Sequence, residues 1–274
     1  MASAPSSHID GYSRKDVVWL AIIVGLGLVI RVVYVLQMRA SPLFADPILD
    51  AELHVRWANS ILDGKPLFEG AYFRAPLYPW MLSLVYRVAA EDYLAPRLVQ
   101  AVIGSMSCGL VYMLGRDAFG RTVGVVAGLL AATNWVLIYF DGELLLEGPG
   151  NFLNLVSIWC LLRSRPRSSV AWIAASGLAM GLSAINRPNV LALMPIFAVW
   201  ILLTNRPAIR RRIALASLYL ATCAVPIAPI TIRNWVVERD FVLIASQGGT
   251  NFYIGNNEQS DGMNAVMPGA RRDW

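Results

Sequence analysis

Apolar residues fall along this chain in seven long runs separated by polar breaks, at 17–38, 97–115, 122–140, 149–162, 170–185, 189–204 and 213–232. A helix needs about 20 apolar residues to cross the hydrocarbon of a bilayer. The pattern therefore predicts a membrane domain of about seven spans over 17–232, with the fourth and fifth runs short for the task. One break is out of proportion to the others. Residues 39–96 separate the first two runs, and within them the stretch Asp46 to Trp80 gathers acids, a histidine, two arginines and many aromatics. Asp46-Pro47 reads as a helix start, the acid capping free N–H groups and the proline taking the first helical position. Asp63-Gly64 followed by Lys65-Pro66 reads as its stop. Ile48, Leu49, Leu53, Trp57, Ile61 and Leu62 give that helix an apolar face, so it is predicted to lie in the membrane interface. A second short helix is predicted from Pro76, carrying Trp80, Leu84 and Tyr86 along the membrane surface.

Composition agrees with the pattern. The chain of 274 residues is 57% hydrophobic and only 15% charged, with a mean hydropathy of +0.53. Soluble domains carry about 25% charged residues. The predicted fold class is an all-α integral membrane protein. Cys108, Cys160 and Cys223 each lie inside an apolar run. They read as packed thiols, not as a disulfide framework or a zinc site. The first run follows Arg14 and Lys15 and is too long for the core of a cleaved signal peptide, so it reads as a retained anchor. Residues 1–16 then form a polar cytoplasmic tail.

The formal net charge of +5 suggests a nucleic-acid partner until the charges are placed. With the N-terminus in the cytoplasm, the inner segments hold eleven cations: Arg14, Lys15, Arg116, Arg121, Arg163, Arg165, Arg167, Arg206, Arg210, Arg211 and Arg212. Three acids oppose them there, Asp10, Asp16 and Asp117, while the outer segments hold fifteen acids and eleven bases. Lys and Arg accumulate on the cytoplasmic side of membrane proteins. The positive balance is therefore a topology signal, and no nucleic acid is expected. This orientation sends four polar segments to the outer face: the opening loop, the Asp141–Glu147 turn, the Asn186–Asn189 turn and the residues from Arg233 onward.

Within the opening loop, Asp50, His54 and Trp57 share a helical face at i, i+4 and i+7. A carboxylate among apolar neighbours is held protonated unless a cation compensates. Placed at an acceptor hydroxyl it can take a proton as a general base. The plain reading is a solvated interfacial acid that interacts with the helix dipole. His54 by itself reads as a structural polar group. Glu52 and Arg56, at i and i+4, form an exposed pair worth little. A phosphate-cradling glycine motif is absent from the sequence, which points away from a nucleotide-sugar donor.

Several phrases, in order, carry a resemblance: YFRAPLYPW (72–80), APRLVQAVIGS (95–105), MLGRDAFGRTVG (113–124), GELLLE (142–147), GLSAINRPN (181–189), TIRNW (231–235) and GGTNFYIGNN (248–257), together with an acid soon after the first span. The chain resembles the polyprenyl-phosphate-sugar-dependent glycosyltransferases of the protein-mannosyltransferase-like, family 39 type, within the GT-C class. The resemblance covers nearly the whole chain. It implies a multi-span helical bundle with interfacial helices in the first outer loop, set in the plasma membrane with its active site extracytoplasmic. It implies transfer of a sugar from a lipid phosphate carrier to a lipid, glycan or protein acceptor, by direct displacement with inversion.

In the terms of that resemblance, Asp50 takes the place of the general base. The second acidic element falls in the Asp141–Glu147 turn, where Glu143 and Glu147 stand at i, i+4 and can face together, with Asp141 a further contact. Arg74 and Arg187 become the partners of the donor phosphate, because a guanidinium grips phosphate with two parallel bonds. Snorkelling to headgroups is their plain alternative. His54 and Asn256 become contacts for acceptor or sugar, Asn256 also reading as a simple turn residue beside glycine. Arg233 is expected to be an interface anchor. The resemblance leaves room for a divalent cation shared by the two acidic elements and implies no other cofactor. Members of the family are usually longer, so 233–274 is expected to be the start of a truncated outer segment. Two other classes stay open: a transporter or flippase of lipid-linked sugars, and a non-catalytic membrane scaffold.

Overall fold

A computed structural model describes residues 11–258 apart from 66, 68, 90, 91, 166–168 and 205–207, and also residue 260. The tail before residue 11, the inner cations Arg167 and Arg206 and the segment from 261 onward lie outside the described residues. The described chain is helical with no strand. The helices are α1 (Arg14–Met38), α2 (Pro42–Ala45), α3 (Leu49–Leu62), α4 (Leu77–Ala89), α5 (Leu94–Phe119), α6 (Arg121–Thr133), α7 (Trp135–Gly142), α8 (Glu147–Ser164), α9 (Val170–Ala184), α10 (Leu193–Thr204), α11 (Ile209–Glu238) and α12 (Gln247–Gly255). A 3-10 turn, Pro188–Ala192, leads into α10.

Helix occupies each of the seven apolar runs. Three helices, α1, α5 and α11, are long and apolar enough to cross a bilayer unaided. The pair α6 and α7 bends by 50° and makes a fourth if it is counted as one broken span. The chain is an all-α, multi-span membrane protein.

Small residues let the helices approach. A methyl group on Gly115 of α5 would press on the backbone of Gly124 in α6, and one on Gly181 of α9 would meet the Cys223 carbonyl of α11. Such close contacts drive helix association in lipid, where apolar burial gives little driving force. Ser157 of α8 and Ser176 of α9 each donate a hydrogen bond to the other's carbonyl. At the start of α1, Ser13 and Asp16 form a capping box. Asp16 also binds Arg121 at 2.6 Å, while Asp117 binds Arg116 at 2.8 Å and Arg163 at 3.3 Å. These ties join α1, α5, α6 and α8 at one end.

The two helices of the opening loop differ in detail from the sequence expectation. Asp46 does not cap α3. It closes the short α2, its N–H donating to Pro42, and Ile48 stands at the N-cap of α3 with no side-chain bond. The buried face of α3 is Ala51, His54, Val55, Trp57 and Ala58, whereas Ile48 and Leu49 are 54% and 71% exposed. The two alanines leave room for α4, whose Tyr78, Leu82 and Tyr86 fill the space. Tyr86 thus points inward. Trp80, Leu84 and Val88 form the outward ridge of α4 at helical spacing, 36%, 64% and 85% exposed.

Candidate active site at the end of the bundle

The opening loop is fastened before its acid is presented. Asn234 near the end of α11 is buried and accepts from Tyr72 N–H, while its amide donates to the carbonyls of Val242 and Ile244. Arg233 donates to Gly70 O at 2.8 Å and stacks over Tyr72 with its guanidinium 4.0 Å from the ring centre. Arg233 is thus a clamp on the opening loop, which is more than the anchor the sequence suggested. The N–H groups of Ser246 and Gln247 add bonds to the Tyr72 and Phe73 carbonyls. Leu77 N–H donates to Ile185 O, tying the start of α4 to the end of α9.

A second fastening comes from α5. Arg97 is buried and donates to the carbonyls of Gly142, Phe44 and Tyr93. One turn on, Gln100 accepts from the Tyr78 hydroxyl and donates to the carbonyls of Asp141 and Glu143. The phrase RLVQ therefore joins the opening loop to the 141–143 turn. Asn186 completes the set by donating to Leu146 O at 2.9 Å. All four predicted outer segments are bonded to one another at one end of the bundle.

On this frame stand two acid–arginine pairs. Arg74 Nη1 lies 2.8 Å from Asp50 Oδ1, and Arg187 Nη1 lies 2.9 Å from Glu147 Oε1. The Asp50 side chain is 57% exposed, so the carboxylate can be reached from outside. Its hydrogen bond to Arg74 holds its carboxyl below the usual carboxylate range, more strongly than partial burial raises it, and Arg187 adds to the effect. Asp50 is therefore ionised at neutral pH. Leu49, just before it, sits at φ 55°, in the left-handed region that costs a non-glycine residue about 1–3 kcal/mol and clusters at functional sites.

His54, one turn along α3, is 1% exposed with its ring edge-on to Tyr78 at 5.0 Å. Burial, reinforced by Arg74, pushes it down to about 4, so it is neutral at pH 7. Neither ring nitrogen has a hydrogen-bond partner among the described residues, and the same holds for Arg74 Nε, Glu147 Oε2 and Asn186 Oδ1.

The remaining expected residues separate. Glu143 and Glu147 do not share a helical face, because α7 ends at Gly142 and α8 begins at Glu147 with bends between. Glu143 is half-buried, its carboxyl raised by burial and drawn back only by Arg97. Asp141 points into the bundle, where it binds Arg31 Nε at 2.6 Å. Arg31 also donates to the Ala132 carbonyl, so it staples the two halves of the broken α6–α7 span. Asn256 is exposed at the end of α12 and donates to Phe252 O, a helix-capping bond well explained without a ligand. Among the described residues, no three His, Cys, Asp or Glu side chains converge as a metal ion requires. The site offers arginines to meet negative charge.

Sequence reasoning did not single out Arg97, Gln100, Asn186 and Asn234. The signal was present, since each is a polar residue at the edge of an apolar run and lies in a quoted phrase. What their side chains reach could not be read without the fold.

Comparison with known proteins adds a family. A family model described as dolichyl-phosphate-mannose-protein mannosyltransferase matches residues 73–232, more than half of the chain. Arg74, Asp141, Glu143, Glu147 and Arg187 fall inside the matched region, and Asp50, His54 and Asn256 outside it. No curated protein matches the chain, and no solved structure does.

Proposed function

This chain belongs to the dolichyl-phosphate-mannose-protein mannosyltransferase family, and from that premise we propose that it moves a sugar from a polyprenyl-phosphate carrier to an acceptor hydroxyl at the extracytoplasmic face. Asp50 is the general base. The acceptor oxygen attacks the anomeric carbon, the new C–O bond forms as the bond to the phosphate oxygen breaks, and the hydroxyl proton passes to Asp50. The lipid phosphate leaves with the bonding electron pair, and Arg74 and Arg187 meet the growing charge. A single displacement inverts the anomeric carbon. Glu147 positions Arg187, and neutral His54 lines the floor beside Asp50.

The observation that carries this reading is the meeting of an accessible, ionised Asp50 with two arginines at one end of a membrane bundle. It is supported by the family's chemistry, in which the charge to be stabilised is a phosphate. The acceptor is a lipid, glycan or protein bearing a hydroxyl. The test is sugar transfer from a radiolabelled polyprenyl-phosphate sugar in proteoliposomes. Asp50→Asn is expected to lower turnover at least 100-fold, in the range of a lost general base, with expression and carrier binding retained. Full activity in Asp50→Asn, with loss in Glu147→Gln, would move the base to Glu147.

One observation favours a second reading. The α6–α7 span is broken by 50°, and its Asp141 forms a buried pair with Arg31 of α1, features common in transporters. A flippase of lipid-linked sugars would translocate the carrier in the same proteoliposomes without transferring its sugar.

A further inference from the structure

The candidate acids and the candidate phosphate-binding arginines are each other's partners. Each contact joins one guanidinium nitrogen to one carboxylate oxygen, at 2.8 Å for Arg74–Asp50 and 2.9 Å for Arg187–Glu147. Neither forms the two-pronged fork that makes such pairs strong. Arg74 Nε and Glu147 Oε2 are buried with no hydrogen-bond partner among the described residues. The other halves of the pairs are open, with the Asp50 side chain 57% and the Arg187 side chain 54% exposed. Half-open ion pairs of this kind are weak and exchange partners readily.

We propose that Asp50 and Glu147 act as internal counter-ions that the carrier phosphate displaces: Arg74 and Arg187 pass from the carboxylates to the phosphate, and carrier binding itself releases the base from Arg74. The inference rests on the glycosyltransferase reading above and adds an order of events to it. No covalent bond changes in the exchange, and charge pairs swap partners. Before exchange, the Arg74 hydrogen bond holds the Asp50 carboxyl below its ordinary range. Once Arg74 turns to phosphate, Asp50 is a stronger proton acceptor. As the sugar leaves, the phosphate passes from a singly charged diester to a monoester carrying nearly two negative charges, which tightens its hold on both arginines. The arrangement also shields the site, since a phospholipid headgroup must displace a carboxylate before it can occupy either arginine.

The test is binding of a polyprenyl monophosphate to the full chain in nanodiscs, read as a dissociation constant. Asp50→Asn and Glu147→Gln keep side-chain volume and are each expected to tighten binding about threefold, the pair together about tenfold, matching the modest strength of half-open ion pairs. Arg74→Gln and Arg187→Gln are expected to weaken it. In an Arg74→Gln background, Asp50→Asn should give no further tightening. Glu52→Gln, which removes a charge from the same helix at its pair with Arg56, should leave binding unchanged. Weakened binding in the arginine variants without tightening in the acid variants would overturn the exchange and leave the phosphate assignment standing. Unchanged binding in the arginine variants would overturn both. Equal tightening by Glu52→Gln would reduce the effect to general charge and overturn the exchange.

Discussion

His54 shows how one buried side chain gives this site a pH dependence. Its folded value of about 4 lies below the ordinary 6.5 because burial and Arg74 disfavour the charged ring, against a weaker pull from Asp50. Between those two values the unfolded chain binds the extra proton. Stability from this group is therefore complete above about pH 6.5 and is lost as pH falls toward 4. At about 1.4 kcal/mol per unit, the loss at pH 5 is about 2 kcal/mol. His54→Leu, which cannot titrate, is expected to reduce the drop in Tm between pH 7 and pH 5. An equal drop in variant and wild type would place the acid sensitivity elsewhere. Asp50 acts in the same sense on stability, because Arg74 lowers its carboxyl and its share is likewise lost as pH falls. Its depressed carboxyl stays charged well into the acid range, so it is ready as a base wherever His54 is neutral.

At the scale of elements, the decisive contacts are polar groups that fasten loops to helices. Gln100 serves Tyr78 and the carbonyls of Asp141 and Glu143 at once. Gln100→Leu leaves those groups without their partner, each at about 1–3 kcal/mol. A fall in stability of about 3 kcal/mol or more is expected, read as a Tm shift in detergent, and a neutral outcome would show that the clasp is dispensable. The pair Arg31–Asp141 is more demanding, because both side chains are nearly solvent-free. Asp141→Ala leaves a buried guanidinium without its counter-charge, and the expected loss is about 3–5 kcal/mol. Gly104→Ala acts on the same pair by sterics, since a methyl there collides with Asp141 Oδ2 and Arg31 Nε. It should resemble Asp141→Ala in direction, and wild-type stability in Gly104→Ala would show that the pair can shift at little cost.

Across the whole molecule, two charged networks mark the two ends of the bundle. Asp16, Asp117, Arg116, Arg121 and Arg163 meet at one end, and Asp50, Arg74, Glu147 and Arg187 at the other. From the cation count we propose that the first end faces the cytoplasm. Cys108, Cys160 and Cys223 are buried, at 1%, 3% and 2% exposure, so they can be replaced by alanine to give a background for sided labelling. An impermeant maleimide is expected to label Glu69→Cys in intact cells and Lys15→Cys only after permeabilisation. The reverse pattern would invert the orientation and move the proposed chemistry to the cytoplasmic face.

The sequence by itself determined the class of the protein and the stop of α3. Apolar runs of span length exclude a soluble domain because each backbone polar group in lipid must be paired within its own helix. The Asp63-Gly64 stop was legible because glycine readily takes the left-handed backbone, and Gly64 stands at φ 68°. The conjunction of four polar segments at one end was legible too, since helices that alternate in direction return every second loop to the same side. Only the tertiary structure decided which side chains meet there. Asp141 and Glu147 lie in one short turn, yet one turns inward to Arg31 and the other outward to Arg187. Glu143 and Glu147 were separated by a break between α7 and α8 that periodicity does not reveal. The buried face of α3 was set by where α4 could pack, with small residues winning over the most apolar ones. In each case the deciding force is a contact between residues distant in the chain, and periodicity along one segment carries no record of it.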